Sequence, residues 1–137
     1  MIGTVFMSEI SRQIWDMKYR FKAADGTPRD RDIADSWARV AASLAMAEAP
    51  ERRIPAEQSF AAALKDYKFL PAGRILAGAG TERSVTLFNC FVMGTIPDSM
   101  DGIFGALREA ALTLQQGGGI GYDFSTLRPK GAPVNGV

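Results

Sequence analysis

The stretch that most restricts how this chain can fold is Val85 to Met93, Val-Thr-Leu-Phe-Asn-Cys-Phe-Val-Met, which carries the only cysteine among 137 residues. Six of its nine residues are large and apolar or aromatic, and they occupy both phases of a two-residue alternation. That pattern predicts a strand covered on both faces, of the kind found in α/β sheets, rather than one with a wet side. In such a strand Cys90 reads locally as a small buried hydrophobe, since the chain has no histidine to activate its thiol. The absence of histidine also removes imidazole general bases, Ser-His triads and most zinc or iron sites. One cysteine makes neither a zinc cluster nor an intramolecular disulfide.

The residues before this strand are predicted to be helical. Ser8 or Ser11 can cap a first helix in which Ile10, Ile14, Met17 and Phe21 form one apolar stripe, ending at Asp25-Gly26-Thr27-Pro28. A second helix, from about Asp32 to Ala49, places Ile33, Trp37, Val40, Ala41 and Leu44 on one face and stops at Pro50. A third begins at Pro55 and brings Phe60, Leu64 and Tyr67 together. These stripes are read as helix-packing core. From Phe69 to Thr81 the prolines and glycines, Pro71, Gly73, Gly78 and Gly80, predict an extended connection without a regular helix. No Gly-x-x-x-x-Gly-Lys-Ser/Thr motif occurs.

Beyond the cysteine strand, Asp98 or Ser99 can cap a helix over 99–116 with Ile103, Phe104, Leu107, Ala110, Ala111 and Leu114 on its apolar side. Gly117 is a candidate left-handed C-cap, and a second strand is predicted over 120–124. The glycines Gly117 to Gly121 thus follow a helix C-terminus, which presents carbonyls and the negative dipole end, so a phosphate cradle is disfavoured. They either turn the chain or let a ligand approach the backbone. Two strands alone leave open edges and an uncovered face, as in a piece of a larger sheet. The expected fold class is α+β and mostly helical. It comprises a helical segment over 1–84 with its Gly/Pro-rich connector, then a strand-helix-strand unit over 85–137 (strand 85–93, helix 99–116, strand 120–124) with a mobile tail from Arg128.

Sixteen Lys and Arg stand against fifteen Asp and Glu with no long run of either sign, which gives no reason to expect nucleic-acid binding. The apolar start, Met1 to Met7, has neither a basic leader nor a cleavage site, and no apolar run approaches the roughly 20 residues that cross a bilayer. A lone reduced thiol suits a reducing interior, and the expected location is cytoplasmic, away from membranes.

Asn-Cys-Phe-Val-Met-Gly at 89–94, Asp-Ser-Met-Asp-Gly-Ile at 98–103 and Gln-Gln-Gly-Gly-Gly-Ile-Gly-Tyr-Asp-Phe-Ser-Thr-Leu-Arg-Pro at 115–129 together resemble the start of the large subunit of ribonucleotide reductases. The match is nearest to the adenosylcobalamin-dependent class II. The resemblance extends upstream through Phe69-Leu-Pro-Ala-Gly-Arg-Ile-Leu-Ala-Gly-Ala-Gly-Thr81 and Ile10-Ser-Arg-Gln-Ile-Trp-Asp-Met-Lys-Tyr19, nearly the whole chain. It implies the opening of a ten-stranded α/β barrel behind an N-terminal helical region, with the cysteine run as first barrel strand. By resemblance Cys90 is one of two redox-active cysteines that reduce the substrate's 2′ carbon. Asn89, Gly119, Gly121 and Tyr122 are substrate contacts, and Asp98 holds the sugar of a deoxynucleotide effector. For Asp98 the helix-cap reading stands beside that role.

The same resemblance implies adenosylcobalamin for the complete enzyme, though none for this segment alone, with ribonucleotide substrate, deoxynucleotide effector and the remaining reductase polypeptide as partners. It also implies homo-oligomerisation through the 99–116 helix. The chain lacks the second reducing cysteine, the radical cysteine and the later barrel strands, so the expectation is a segment inactive in isolation that takes part in deoxyribonucleotide synthesis. The alternative is a non-catalytic nucleotide-binding or oligomerisation module derived from the reductase.

Overall fold

Ser8 opens the first helix by accepting the Ser11 N–H at 3.3 Å on its side-chain oxygen, with Glu9 in the first turn bonded to Arg12. The computed structural model describes residues 6–134; the expectations for 1–5 and for the last three residues of the tail lie outside them. Two compact units emerge, Met1–Leu87 and Phe88–Val137.

In the first unit, α1 (Glu9–Ile14) passes into a wide π turn, Trp15–Tyr19, closed by the Arg20 N–H on the Trp15 carbonyl at 2.9 Å. This turn overturns the expected stripe. It shifts the inward-facing position to Trp15, which is buried, whereas Ile10 and Met17 are mostly exposed. The Trp15 indole N–H gains a partner in the buried Ser36 hydroxyl at 3.0 Å, and the Arg20 guanidinium lies over its ring. Ile10 and Ile14 line an open apolar cavity of about 420 Å³ together with Trp37, Tyr67 and Leu76.

Helix α2 (Ile33–Ala45) is capped by Asp32 and buries Ile33, Trp37, Val40 and Ala41, the face read from the sequence. It ends before Ala49, because the Met46, Ala47 and Glu48 N–H groups reach back only three residues. It packs on α3 (Arg53–Leu64), which begins before Pro55 through a short 3₁₀ turn at Pro50–Arg52. Tyr67 lies beyond α3 with a left-handed φ of 58°, its ring edge-on to Trp37 with centroids 5.3 Å apart. Residues Gly73–Gly78 form a short helix, α4, contrary to the expectation of an extended connection. Its glycines stand at the two ends, where they do not interrupt the turn, and Ile75 and Leu76 between them pack on the core.

A buried ion pair joins these pieces. The Arg39 guanidinium donates to Asp30 at 2.9 Å and to the carbonyls of Tyr19, Leu76 and Ala79, while Asp30 also accepts from the Ser36 hydroxyl at 2.6 Å and the Phe21 N–H at 3.1 Å. Gly80, at φ 69°, passes so close that an added Cβ would stand 2.9 Å from the Arg39 carbonyl.

The second unit is a strand-helix-strand: β1 (Cys90–Thr95), α5 (Met100–Gln115) and β2 (Gly119–Asp123), with the strands paired in parallel. The first strand begins at Cys90 rather than Val85. The partner strand offers its first residue, Gly119, opposite Cys90, so the ladder starts there, while Val85 and Leu87, which belong to the first unit, approach Gly78. Nor is β1 covered on both faces, since Cys90 and Val92 are exposed.

Ser99 caps α5 through the Gly102 N–H at 3.0 Å, and Gly117 follows it with a left-handed φ of 84°. The α5 apolar stripe is not the buried one: Phe104, Leu107 and Leu114 are more than half exposed while Ala110 is buried. Close approach selects the small residue, because α5 lies against the sheet. The Tyr122 hydroxyl donates to the Ala106 carbonyl at 3.0 Å, and an added Cβ on Gly118 would be 2.7 Å from the Phe91 ring. Among the described residues no helix is long and apolar enough to cross a membrane.

Burial pushes the Asp30 carboxyl up, but the hydrogen bonds from Arg39, Ser36 and Phe21 and the Arg39 charge outweigh it and hold its pKa below the ordinary value. A folded-state value below the unfolded one means that the contribution is complete above about pH 4 and is lost as pH falls through the folded value. Urea unfolding followed by circular dichroism should therefore show stability falling in that acid range. Arg39→Ala should cost about 3–5 kcal/mol at neutral pH, as expected for stranding a buried carboxylate.

Candidate functional site

Cys90 is the first residue of β1, directly opposite Gly119 of β2. The Gly119 N–H donates to the Asn89 carbonyl at 2.8 Å, which starts the parallel ladder and fixes the strand ends against each other. A Cβ on Gly119 would stand 3.4 Å from the Cys90 sulfur, so the thiol lies against bare backbone. Two residues on, Val92 faces Gly121. Four of the residues singled out from the sequence, Asn89, Cys90, Gly119 and Gly121, are thus brought together along one end of the two-stranded ladder.

Two others are engaged differently. The Tyr122 hydroxyl is spent on the Ala106 carbonyl of α5, and its ring leans on Phe124 with centroids 5.6 Å apart. Its side chain therefore serves the helix-sheet contact, leaving its backbone along β2. Asp98 does not cap α5. Its carboxylate accepts the Arg128 Nε–H at 2.8 Å, its carbonyl accepts a second Arg128 donor at 3.2 Å, and Arg128 also reaches the Pro133 carbonyl at 3.2 Å. The segment after β2 is tied to the loop before α5 by this one side chain, with the Thr126 hydroxyl on the Ile96 carbonyl at 2.6 Å beside it.

Sequence reasoning missed Arg128. Its signal was an arginine between Leu127 and Pro129 in an otherwise weakly charged stretch, but a partner thirty positions away cannot be read from local pattern. The apolar run also pointed to a buried Cys90, whereas the thiol is exposed, because burial there requires further strands over β1.

The arrangement presents an exposed thiol beside the bare backbone of Gly119, a geometry suited to thiol chemistry on a ligand laid against β2. Among the described residues no group of three or more His, Cys, Asp or Glu side chains is placed to hold a metal. The glycines after α5 lead into a strand, not a helix N-terminus, so they make no phosphate cradle of the helix-dipole kind.

The family described as the ribonucleotide reductase all-alpha domain matches residues 5–84, and the ribonucleotide reductase barrel domain matches residues 88–137. A vitamin B12-dependent ribonucleoside-diphosphate reductase of Mycobacterium tuberculosis is 38% identical over 120 residues, covering 85% of this chain and 17% of that protein. A ribonucleoside-diphosphate reductase subunit alpha of Helicobacter pylori is 33% identical over 119 residues, covering 87% of this chain and 14% of its own length. A ribonucleoside-diphosphate reductase large subunit of Vaccinia virus is 36% identical over 74 residues, 54% of this chain and 10% of that one. The chain thus spans less than a fifth of the length of these curated relatives.

Exposure of Cys90 predicts ready modification. A thiol reagent at neutral pH should label the native chain at a rate close to that of the urea-unfolded chain. Labelling slowed by about a hundredfold would mean that the thiol is covered.

Proposed function

The chain belongs to the ribonucleotide reductase large-subunit family, and from that premise we propose that it supplies the helical domain and the first barrel strand of a ribonucleotide reductase, with Cys90 as one of the two thiols that reduce the substrate. The observation that carries this reading is the register of β1 on β2, which sets an exposed thiol against bare glycine backbone in residues matching the barrel domain. In the proposed reaction the two thiols give up two electrons and two protons and close as a disulfide. The 2′ hydroxyl leaves as water, and hydrogen takes its place on carbon. The 137 residues hold one cysteine, so the partner thiol and the radical cysteine come from the remaining reductase polypeptide, and these residues are not catalytic by themselves.

Asn89 and the Gly119–Tyr122 backbone are proposed to touch the ribonucleotide. Asp98 is proposed to hold the deoxynucleotide effector's sugar, in exchange for its present bond to Arg128. Kinship with the B12-dependent relatives supports adenosylcobalamin as the source of the radical in the complete enzyme. In this proposal that group is held by the remaining reductase polypeptide and not by the residues of this chain. A cytoplasmic location agrees with deoxyribonucleotide synthesis.

Complementation tests the reading. The chain mixed with a polypeptide carrying the rest of the barrel, adenosylcobalamin and a dithiol reductant should reduce ribonucleotides, and Cys90→Ser should abolish multiple turnover with little effect on unfolding. Full turnover by Cys90→Ser would sink the assignment of Cys90.

The outward apolar face of α5, with Phe104, Leu107 and Leu114, favours a second role as an oligomerisation surface in a homodimer. Light scattering should report a dimer or larger species, and Leu107→Asp should return it to a single chain while the helix content stays unchanged.

A further inference from the structure

Beyond Cys90, the exposed side of the two-stranded ladder carries one more side chain, Val92, whose position no packing among the described residues explains. Along β1 the alternation turns Phe91 toward Gly118, where it is half-buried, and leaves Cys90 and Val92 outward. Val92 is 99% exposed, the barest large apolar residue among those described. Paired residues of a parallel ladder present their side chains to the same side, so the outward face consists of Cys90 beside Gly119 and Val92 beside Gly121.

Neither glycine is demanded by the fold. Neither has a positive φ. A Cβ on Gly121 would meet nothing within 4 Å, and one on Gly119 would make ordinary contacts at 3.4 Å with the Asn89 carbonyl and the Cys90 sulfur. Gly118, one residue earlier, is different, since Phe91 fills the space where its side chain would be. The two glycines opposite the outward residues therefore keep open a strip of backbone that packing within the described residues does not use. Glycine inside a strand commonly marks close approach of a ligand.

We propose that Val92 is a substrate contact: the apolar wall against which the ribose rests while its 2′ carbon meets the Cys90 thiol. The proposal rests on the reading of Cys90 given above. Two residues of strand separate the thiol from the valine by about 6.6 Å, a span of one sugar ring lying across Gly119–Gly121. The C–H surface of the sugar meets the Val92 methyls, its polar edge is left to hydrogen-bonding groups, and the valine thereby sets which carbon stands over the sulfur. Bulk at Val92 or a side chain at Gly121 would lift the sugar from the strip.

The test uses the complemented enzyme with Val92→Ala, Val92→Phe and Gly121→Ala. A full-turnover assay should show each variant losing kcat/KM by about tenfold or more, the scale of one or two methyl contacts in a binding pocket. Binding is read separately by titrating a ribonucleotide into the inactive Cys90→Ser complex, in which Val92→Phe should weaken the substrate by the same factor. The unfolding transition of the chain and its association with the complementing polypeptide should stay at native values, because Val92 makes so little contact within the chain. If kcat/KM and ribonucleotide affinity remain within about twofold of native, Val92 touches no substrate and the proposal falls. It falls equally if Val92→Phe prevents association, since the valine is then covered by protein. Retained turnover in Cys90→Ser alone would instead strike the reading of the thiol, so the two failures are distinguishable.

Discussion

The first unit depends on a single guanidinium. Arg39 lies on α2, but its donors go to four other places in the chain: the end of the π turn at Tyr19, the carboxylate of Asp30, and the Leu76 and Ala79 carbonyls in and just after α4. A buried charge is tolerated only when its donors are matched, and here the matching groups are the loose ends of short elements that could not close a core alone. Asp30 completes the arrangement by holding Ser36 and the Phe21 N–H, and Ser36 in turn takes the indole of Trp15. Among the described residues no buried side-chain polar atom is left without a partner, so the network specifies as well as binds.

The second unit is assembled on the opposite principle, by leaving atoms out. Ala110 and Gly118 let α5 and the sheet approach, and the larger apolar residues of the helix are turned away from that contact. A unit held through small residues keeps its bulky ones for other surfaces, which is why α5 and β1 both present apolar faces to the surroundings.

The sequence was most legible where its signal was local. The α2 face followed from spacing, because Ile33, Trp37, Val40 and Ala41 decide their burial together on one helix. The α1 stripe failed because a single widened turn rotated it, and the bond of Trp15 to Ser36 that goes with that rotation is non-local. Residues 85–89 have the composition of a strand, yet the ladder begins only at Cys90, where Gly119 stands opposite, and composition does not contain that register. The candidate site was located by motif resemblance. Its geometry, the pairing of Cys90 with Gly119 and the capture of Asp98 by Arg128, lay beyond local pattern, because each joins residues about thirty positions apart.

The division of contacts has a consequence for biosynthesis. Every partner of Arg39 lies between Tyr19 and Ala79, so the ribosome has made the whole network before it adds Cys90. Domains tend to fold as units in the order of translation, and the helical unit can settle while the thiol-bearing strand is still being made. The residue that pairs with Cys90 comes only after all of α5. During that interval the nascent thiol has no ladder to join, and it stays open to modification until the crossover helix brings Gly119 into place.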